Sequence, residues 1–172
     1  TLKHNVLDTW RKFKYVHLSL SIDGAGDTFE HIRYNGKWGE TLENLKKIRE
    51  SNAVDYWFHP TVSILNIFRL TELHNELHIN DLMPLSSIHP RRGFCLENYW
   101  VDRFHLNPLF MPDYYSITSL PAKLKDRAAD SISLYGRNLE LNTGIPFSGW
   151  KNIIDFMYHK DTSHLWSLFK QK

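Results

Sequence analysis

The segment from Tyr15 to Asp23 reads YVHLSLSID, with Val16, Leu18, Leu20 and Ile22 alternating against His17, Ser19, Ser21 and Asp23. A period of two places successive side chains on opposite faces of a β-strand. Gly24 and Gly26 break that strand, and from Trp38 the spacing of Trp38, Leu42, Leu45 and Ile48 forms one apolar helical face. Lys46, Lys47 and Arg49 fall on the opposite, wet face. The same order then recurs. Val54 to Ser63 (VDYWFHPTVS) forms a second strand, and Asn66 precedes a helix carrying Ile67, Leu70, Leu73 and Leu77. Beyond an irregular stretch rich in Pro and Ser around Met83 to Gly93, Trp100 to Phe110 (WVDRFHLNPLF) forms a third strand. A helix from near Pro121, with Leu124, Ala128, Ile132 and Tyr135 inward, completes the third unit.

Strand–helix units in series imply parallel strands joined by right-handed crossovers, the repeat of an α/β barrel or of a doubly wound sheet. Strands buried on both faces are almost wholly apolar. Here His17, Ser19, Ser21 and Asp23 share one face of the first strand, and His59, Thr61 and Ser63 one face of the second. Two explanations stand: an open barrel lumen that holds a ligand, or an edge strand wetted on one side. At the N-terminus, Leu7 to Phe13 (LDTWRKF) has the pattern of the last turns of an amphipathic helix, so Thr1 is expected to mark a cut. From Trp150 to Phe169, one or two short helices offer Ile153, Ile154, Phe156, Met157, Leu165, Trp166, Leu168 and Phe169 for packing.

A chain of 172 residues that is 42% hydrophobic can bury a real core. Lys and Arg number 21 against 19 Asp and Glu, so no broad positive field exists to hold nucleic-acid phosphates or an anionic membrane. Cys95 stands alone, which excludes an internal disulfide, and nothing resembles a signal peptide or a bilayer-spanning run. A cytoplasmic setting is the expectation.

Ser21-Ile22-Asp23-Gly24, followed by Phe29, Ile32 and Arg33 and by Leu42 to Ile48 (LENLKKI), resembles radical S-adenosylmethionine (radical SAM) proteins around their fourth barrel strand. Pro60-Thr61-Val62-Ser63 with Asn66 and Leu70 resembles the fifth strand and its helix in the same family. Leu106-Asn107-Pro108-Leu109, then Pro112, Tyr115 and Leu120-Pro121 before Lys123 and Lys125, is similar to the sixth strand of members often labelled twitch-domain proteins. The matched segments run in the family's order from about Tyr15 to about Tyr135. The resemblance implies an α/β fold: the C-terminal half of a partial (β/α)6 TIM-like barrel with parallel strands. Residues 1–141 would form this barrel fragment, in units near 15–52, 54–79 and 100–140, and residues 142–172 a helical tail packed on it.

The resemblance further implies S-adenosylmethionine as cofactor, cleaved by an electron from a 4Fe-4S cluster to give a 5′-deoxyadenosyl radical that abstracts hydrogen from a substrate. The family holds that cluster through C-x-x-x-C-x-x-C, a motif this sequence lacks, so the cysteines are expected upstream and this chain alone is expected to be inactive. A peptide or another bulky substrate is the expected partner, and an unpaired barrel edge at Tyr15 to Asp23 is expected to promote self-association.

Residue by residue, Ser21 and Asp23 would meet the methionine amino group or the ribose hydroxyls, unless Asp23 and Gly24 only form the turn that ends the strand. Arg33 would clamp the methionine carboxylate, against the ordinary alternative of a solvated surface pair. Thr61 and Ser63 are candidate adenine or ribose contacts, and Asn107 a substrate or cofactor contact. Asn66 would reach ribose or adenine, or cap the helix that follows it. His74 and His78, four apart on a helix, have a metal-binding spacing but no third ligand, and are expected at the wet edge. Cys95 is expected to be a small buried apolar residue rather than a ligand. Two other classes compete: a non-catalytic half barrel that binds a nucleotide-like ligand or a protein, and a zinc hydrolase using His17, His59 or His105.

Overall fold

The structure is a computed structural model and describes residues 5–83, 103–144 and 148–171. Cys95, the Pro- and Ser-rich stretch beyond Met83, and the start of the expected third strand at Trp100 lie outside the described residues. The chain opens with a short helix α1 (Val6–Trp10), capped by the Asn5 side chain, and continues into strand β1 (His17–Leu20). Helices α2 (Gly26–Ile32) and α3 (Trp38–Ser51) follow, then β2 (Asp55–Phe58), β3 (Thr61–Val62) and α4 (Leu70–Ile79). After β4 (Asn107–Pro108) come α5 (Ala122–Thr143), α6 (Ser148–His159) and α7 (Trp166–Phe169).

Helix α2 has no counterpart in the sequence reading. Gly26 adopts φ 52°, a left-handed conformation that only glycine reaches cheaply, and this turns the chain straight from the strand end into a helix. The second strand is split where Pro60 sits, because proline has no N–H to give the ladder. His17↔Asp55 through Leu20↔Phe58 set the parallel register of β1 with β2, and Thr61↔Asn107 that of β3 with β4. A parallel bridge at Phe58↔Phe104 and bonds from Phe58 N to Arg103 O (2.7 Å) and His105 N to Phe58 O (2.9 Å) join the two pieces. The strand segments therefore lie in sequence order, mutually parallel.

The alternation read from sequence is realised as two unlike faces. Tyr56, Phe58 and Val62 are buried, with Leu45 of α3, Leu70, Leu73 and Leu77 of α4, Ala128 and Ile132 of α5, and Trp150, Ile153 and Met157 of α6 in one core. Val16, Leu18, Leu20 and Ile22 pack against its margin. On the other face Ser19, Ser21, His105 and Asn107 are exposed, and Trp57, His59 and Thr61 are half-buried. The architecture is α/β, mostly helical with short parallel strands, and no closed barrel is present among the described residues. No described helix is long and apolar enough to cross a membrane.

The C-terminal helices share the core rather than cover it. The expected boundary at residue 141 falls inside α5, which continues to Thr143 and stops at Gly144 (φ 72°), whose N–H bonds Glu140 O at 2.8 Å. Of the tail residues offered for packing, Leu168 stays exposed.

His74 departs from expectation. It is 3% exposed rather than at a wet edge, its Nδ1 is 2.6 Å from the Tyr135 hydroxyl, and its ring meets Phe104, Tyr135 and Trp150 edge-on. A helix packed by α5 on one flank and α6 on another buries a wider arc than Leu70, Leu73 and Leu77 alone define. Burial pushes the imidazole pKa down to about 4, with His78 lowering it further.

Candidate functional site

The chain leaves β1 through Ser21, Ile22 and Asp23 and leaves β3 through Ser63, so both segments end at the carboxyl edge of the strands. Parallel strands gather their C-terminal ends at one edge, where β/α folds place ligands. At that edge the candidate residues form one hydrogen-bonded network.

Asp23 is its centre. The residue is 6% exposed; its Oδ1 accepts from Thr61 N at 2.8 Å, and its Oδ2 accepts from Arg33 Nη2. Arg33 reaches it from the end of α2, and the same Nη2 also donates to Ser21 O and Ser21 Oγ, each at 2.9 Å. Arg33 Nε is buried without a hydrogen-bond partner. The Arg33 fork is thus turned onto Asp23 and Ser21 within the chain, which corrects the expectation of a solvated surface pair. Asp23 does more than end the strand, since its carboxylate ties β1 to the backbone of β3.

Asn66 is 1% exposed and saturated. Its Nδ2 donates to Asp23 O at 2.7 Å and to Thr61 O at 2.8 Å, while its Oδ1 accepts from Ser63 N at 2.8 Å. An amide with both donor hydrogens engaged has none left for ribose or adenine. The expected capping of the next helix does not occur either: α4 starts at Leu70, and Asn66 fastens a preceding turn instead. Ser63 is buried, with Oγ accepting from Leu65 N at 3.2 Å, so it does not continue the exposed row of His59 and Thr61. The turn beginning at Ser63 breaks the alternation that would have kept it there.

Thr61 and Asn107 face each other across the β3–β4 register on the open side of the sheet. Two further groups there drew no notice in the sequence, although the period of two that marks His59 and Thr61 also points to them. Trp57 packs against His17 and His105, with ring centroids 6.2 and 6.5 Å away. Asp55 accepts from Arg103 Nη1 at 2.8 Å, and Arg103 also donates to Tyr56 O at 2.7 Å, so this largely buried pair closes the amino-terminal end of the face. Ser19 Oγ lies 3.5 Å from His59 Nδ1, and the His59 and His105 rings are 6.5 Å apart.

Ser21, Thr61 and Arg33 retain groups that a polar cofactor could meet, and the buried, unpartnered Nε of Arg33 lies among them. The protein's lone cysteine cannot supply the thiolates of a 4Fe-4S cluster. Among the described residues no group of three or more His, Cys, Asp or Glu side chains is placed to hold a metal ion. Comparison with protein-family models, with curated proteins and with solved structures gives no significant match for this chain.

Proposed function

We propose that the chain is the C-terminal part of a radical SAM partial (β/α)6 barrel, in which Ser21, Asp23, Arg33, Thr61 and Ser63 build the S-adenosylmethionine side of the site. The observation that carries this reading is the convergence of residues from two separate segments, chosen by resemblance alone, into one network around Asp23. Strands in sequence order, helices on one face and polar groups on the other support the partial barrel, because a lumen needs such a one-sided sheet.

In this reading Ser21 and Thr61 hydroxyls meet the ribose, and Arg33, held in place by Asp23, faces the methionine carboxylate. Bound there, S-adenosylmethionine supplies the source of a hydrogen-abstracting radical. Asp23 keeps the guanidinium oriented, and Asn66 holds the two strand ends at a fixed separation. The sequence does not fit the cluster, so the chain by itself binds and positions but does not react.

That same single cysteine favours a second reading, a non-catalytic half-barrel module for a nucleotide-like ligand or a protein partner. Calorimetric titration separates the two. The first reading expects saturable S-adenosylmethionine binding, weakened about tenfold or more by Arg33→Ala through loss of a charge-assisted contact. Equal affinity for adenosine and S-adenosylmethionine would favour the second, and no binding of either would remove both nucleotide readings.

A further inference from the structure

The open sheet face below the Asp23 network carries donors without a free carboxylate. Ser19, Trp57, His59, Thr61, His105 and Asn107 present hydroxyl, indole, imidazole and amide groups there. Both acids that border this face are engaged: Asp55 by Arg103, and Asp23 by Arg33 and the Thr61 N–H. An acceptor-rich anion is therefore not repelled, whereas a cationic ligand would find no open partner.

The shape of the anion follows from the donors that remain. A planar carboxylate is best met by a guanidinium fork, and both forks at the ends of the face are directed at aspartates. What is left are single-point donors spread around a gap: His59 on one side, His105 with its ring 6.5 Å away, and the Ser19 hydroxyl 3.5 Å from His59 Nδ1. Donors converging from several directions suit a tetrahedral group with oxygens on every side. Among the described residues His105 makes no hydrogen bond of its own.

We infer that His59, His105 and Ser19 form a binding site for a phosphate group, so that the ligand of this face is a phosphate-bearing small molecule. The inference rests on the reading above only in treating that ligand as the substrate. The three side chains define the phosphate site whether or not S-adenosylmethionine binds.

Inorganic phosphate titrated into the full chain without S-adenosylmethionine, at constant pH and ionic strength, tests it through the imidazole ring resonances. Saturable shifts confined to His59, His105 and their neighbours are expected, with affinity about tenfold weaker in His59→Ala and His105→Ala and unchanged in His164→Ala, far along the chain on an exposed turn. Both alanine variants remove side chains that are at least partly exposed, and circular dichroism confirms that each is folded before titration. Acetate binding as tightly as phosphate overturns the tetrahedral site, as do uniform shifts across the ten histidines or affinity indifferent to both variants. Phosphate binding alongside failed S-adenosylmethionine binding leaves the phosphate site standing and removes only the cofactor reading.

Discussion

Asn66 shows how one side chain can decide a local structure. Its amide holds Asp23 O, Thr61 O and Ser63 N together, three backbone groups that the strand ladder leaves unpaired. Truncation strands all of them in a buried setting, at about 1 kcal/mol or more each. Asn66→Ala is therefore expected to lower unfolding stability by about 3 kcal/mol in urea titration, and a loss under about 1 kcal/mol would show that the network relaxes around water. His74 makes a different prediction. Burial holds its folded pKa near 4, while in the unfolded chain it titrates at the ordinary value of 6.5. Between those values only the unfolded chain takes up the proton, so His74's contribution to stability is intact above about pH 6.5 and drains away as pH falls towards 4, by on the order of 3 kcal/mol. Denaturant midpoints across that range should drop in the parent and flatten in His74→Leu. An equally steep drop in the variant would assign the acid sensitivity to other groups. Motif spacing identifies Asn66 as special but not which three groups it binds, because those partners lie as far as Asp23 along the chain.

At the scale of elements, turns and edges carry the argument. A Cβ on Gly24 would sit 2.7 Å from Thr28 Cγ2 and 3.1 Å from the Phe29 backbone N, so the first turn of α2 closes against the strand end only with glycine there. Gly144 is open to solvent but holds φ 72°. Gly24→Ala is expected to cost about 2 kcal/mol through overpacking and to weaken any ligand binding at the Asp23 network. Gly144→Ala should cost about 1 kcal/mol through backbone strain alone, with binding unchanged. Thermal melts paired with titration distinguish the two, and similar binding defects in both would contradict this division. Strand β1 pairs only with β2 among the described residues, leaving a row of backbone donors and acceptors on its other side. Such edges template pairing with another chain. Concentration-dependent association in analytical ultracentrifugation is expected, and a monomer at every concentration would mean that the edge is protected.

For the molecule as a whole, the core couples parts that lie far apart in sequence. Phe104, His74, Tyr135 and Trp150 form an aromatic box that joins the third strand segment to α4, α5 and α6. Trp150 is 3% exposed and stacks on Phe104 with centroids 5.7 Å apart. Trp150→Ala is expected to destabilise the entire chain by about 4 kcal/mol in one cooperative transition. A separate early melt of the C-terminal helices, with the rest unchanged, would show instead that the tail is an independent layer. With the apolar side filled in this way, the polar side of the sheet is left for ligands, and both functional proposals depend on that division.

Periodicity alone determines much of this protein. The alternation of Val16, Leu18, Leu20 and Ile22, the helical spacing of Leu42, Leu45 and Ile48, and that of Ala128 and Ile132 place the parallel strand–helix order, because each element's burial pattern is local and periodic. The edge at which Ser21, Asp23, Thr61 and Asn66 collect follows from strand direction. Tertiary structure alone decided the rest. It turned Arg33 inward onto Asp23, spent both donors of Asn66 on backbone, withdrew Ser63 from the open face and sealed His74 among aromatic rings. Each outcome depends on which distant group arrives within hydrogen-bonding or van der Waals reach, and no local period encodes that distance.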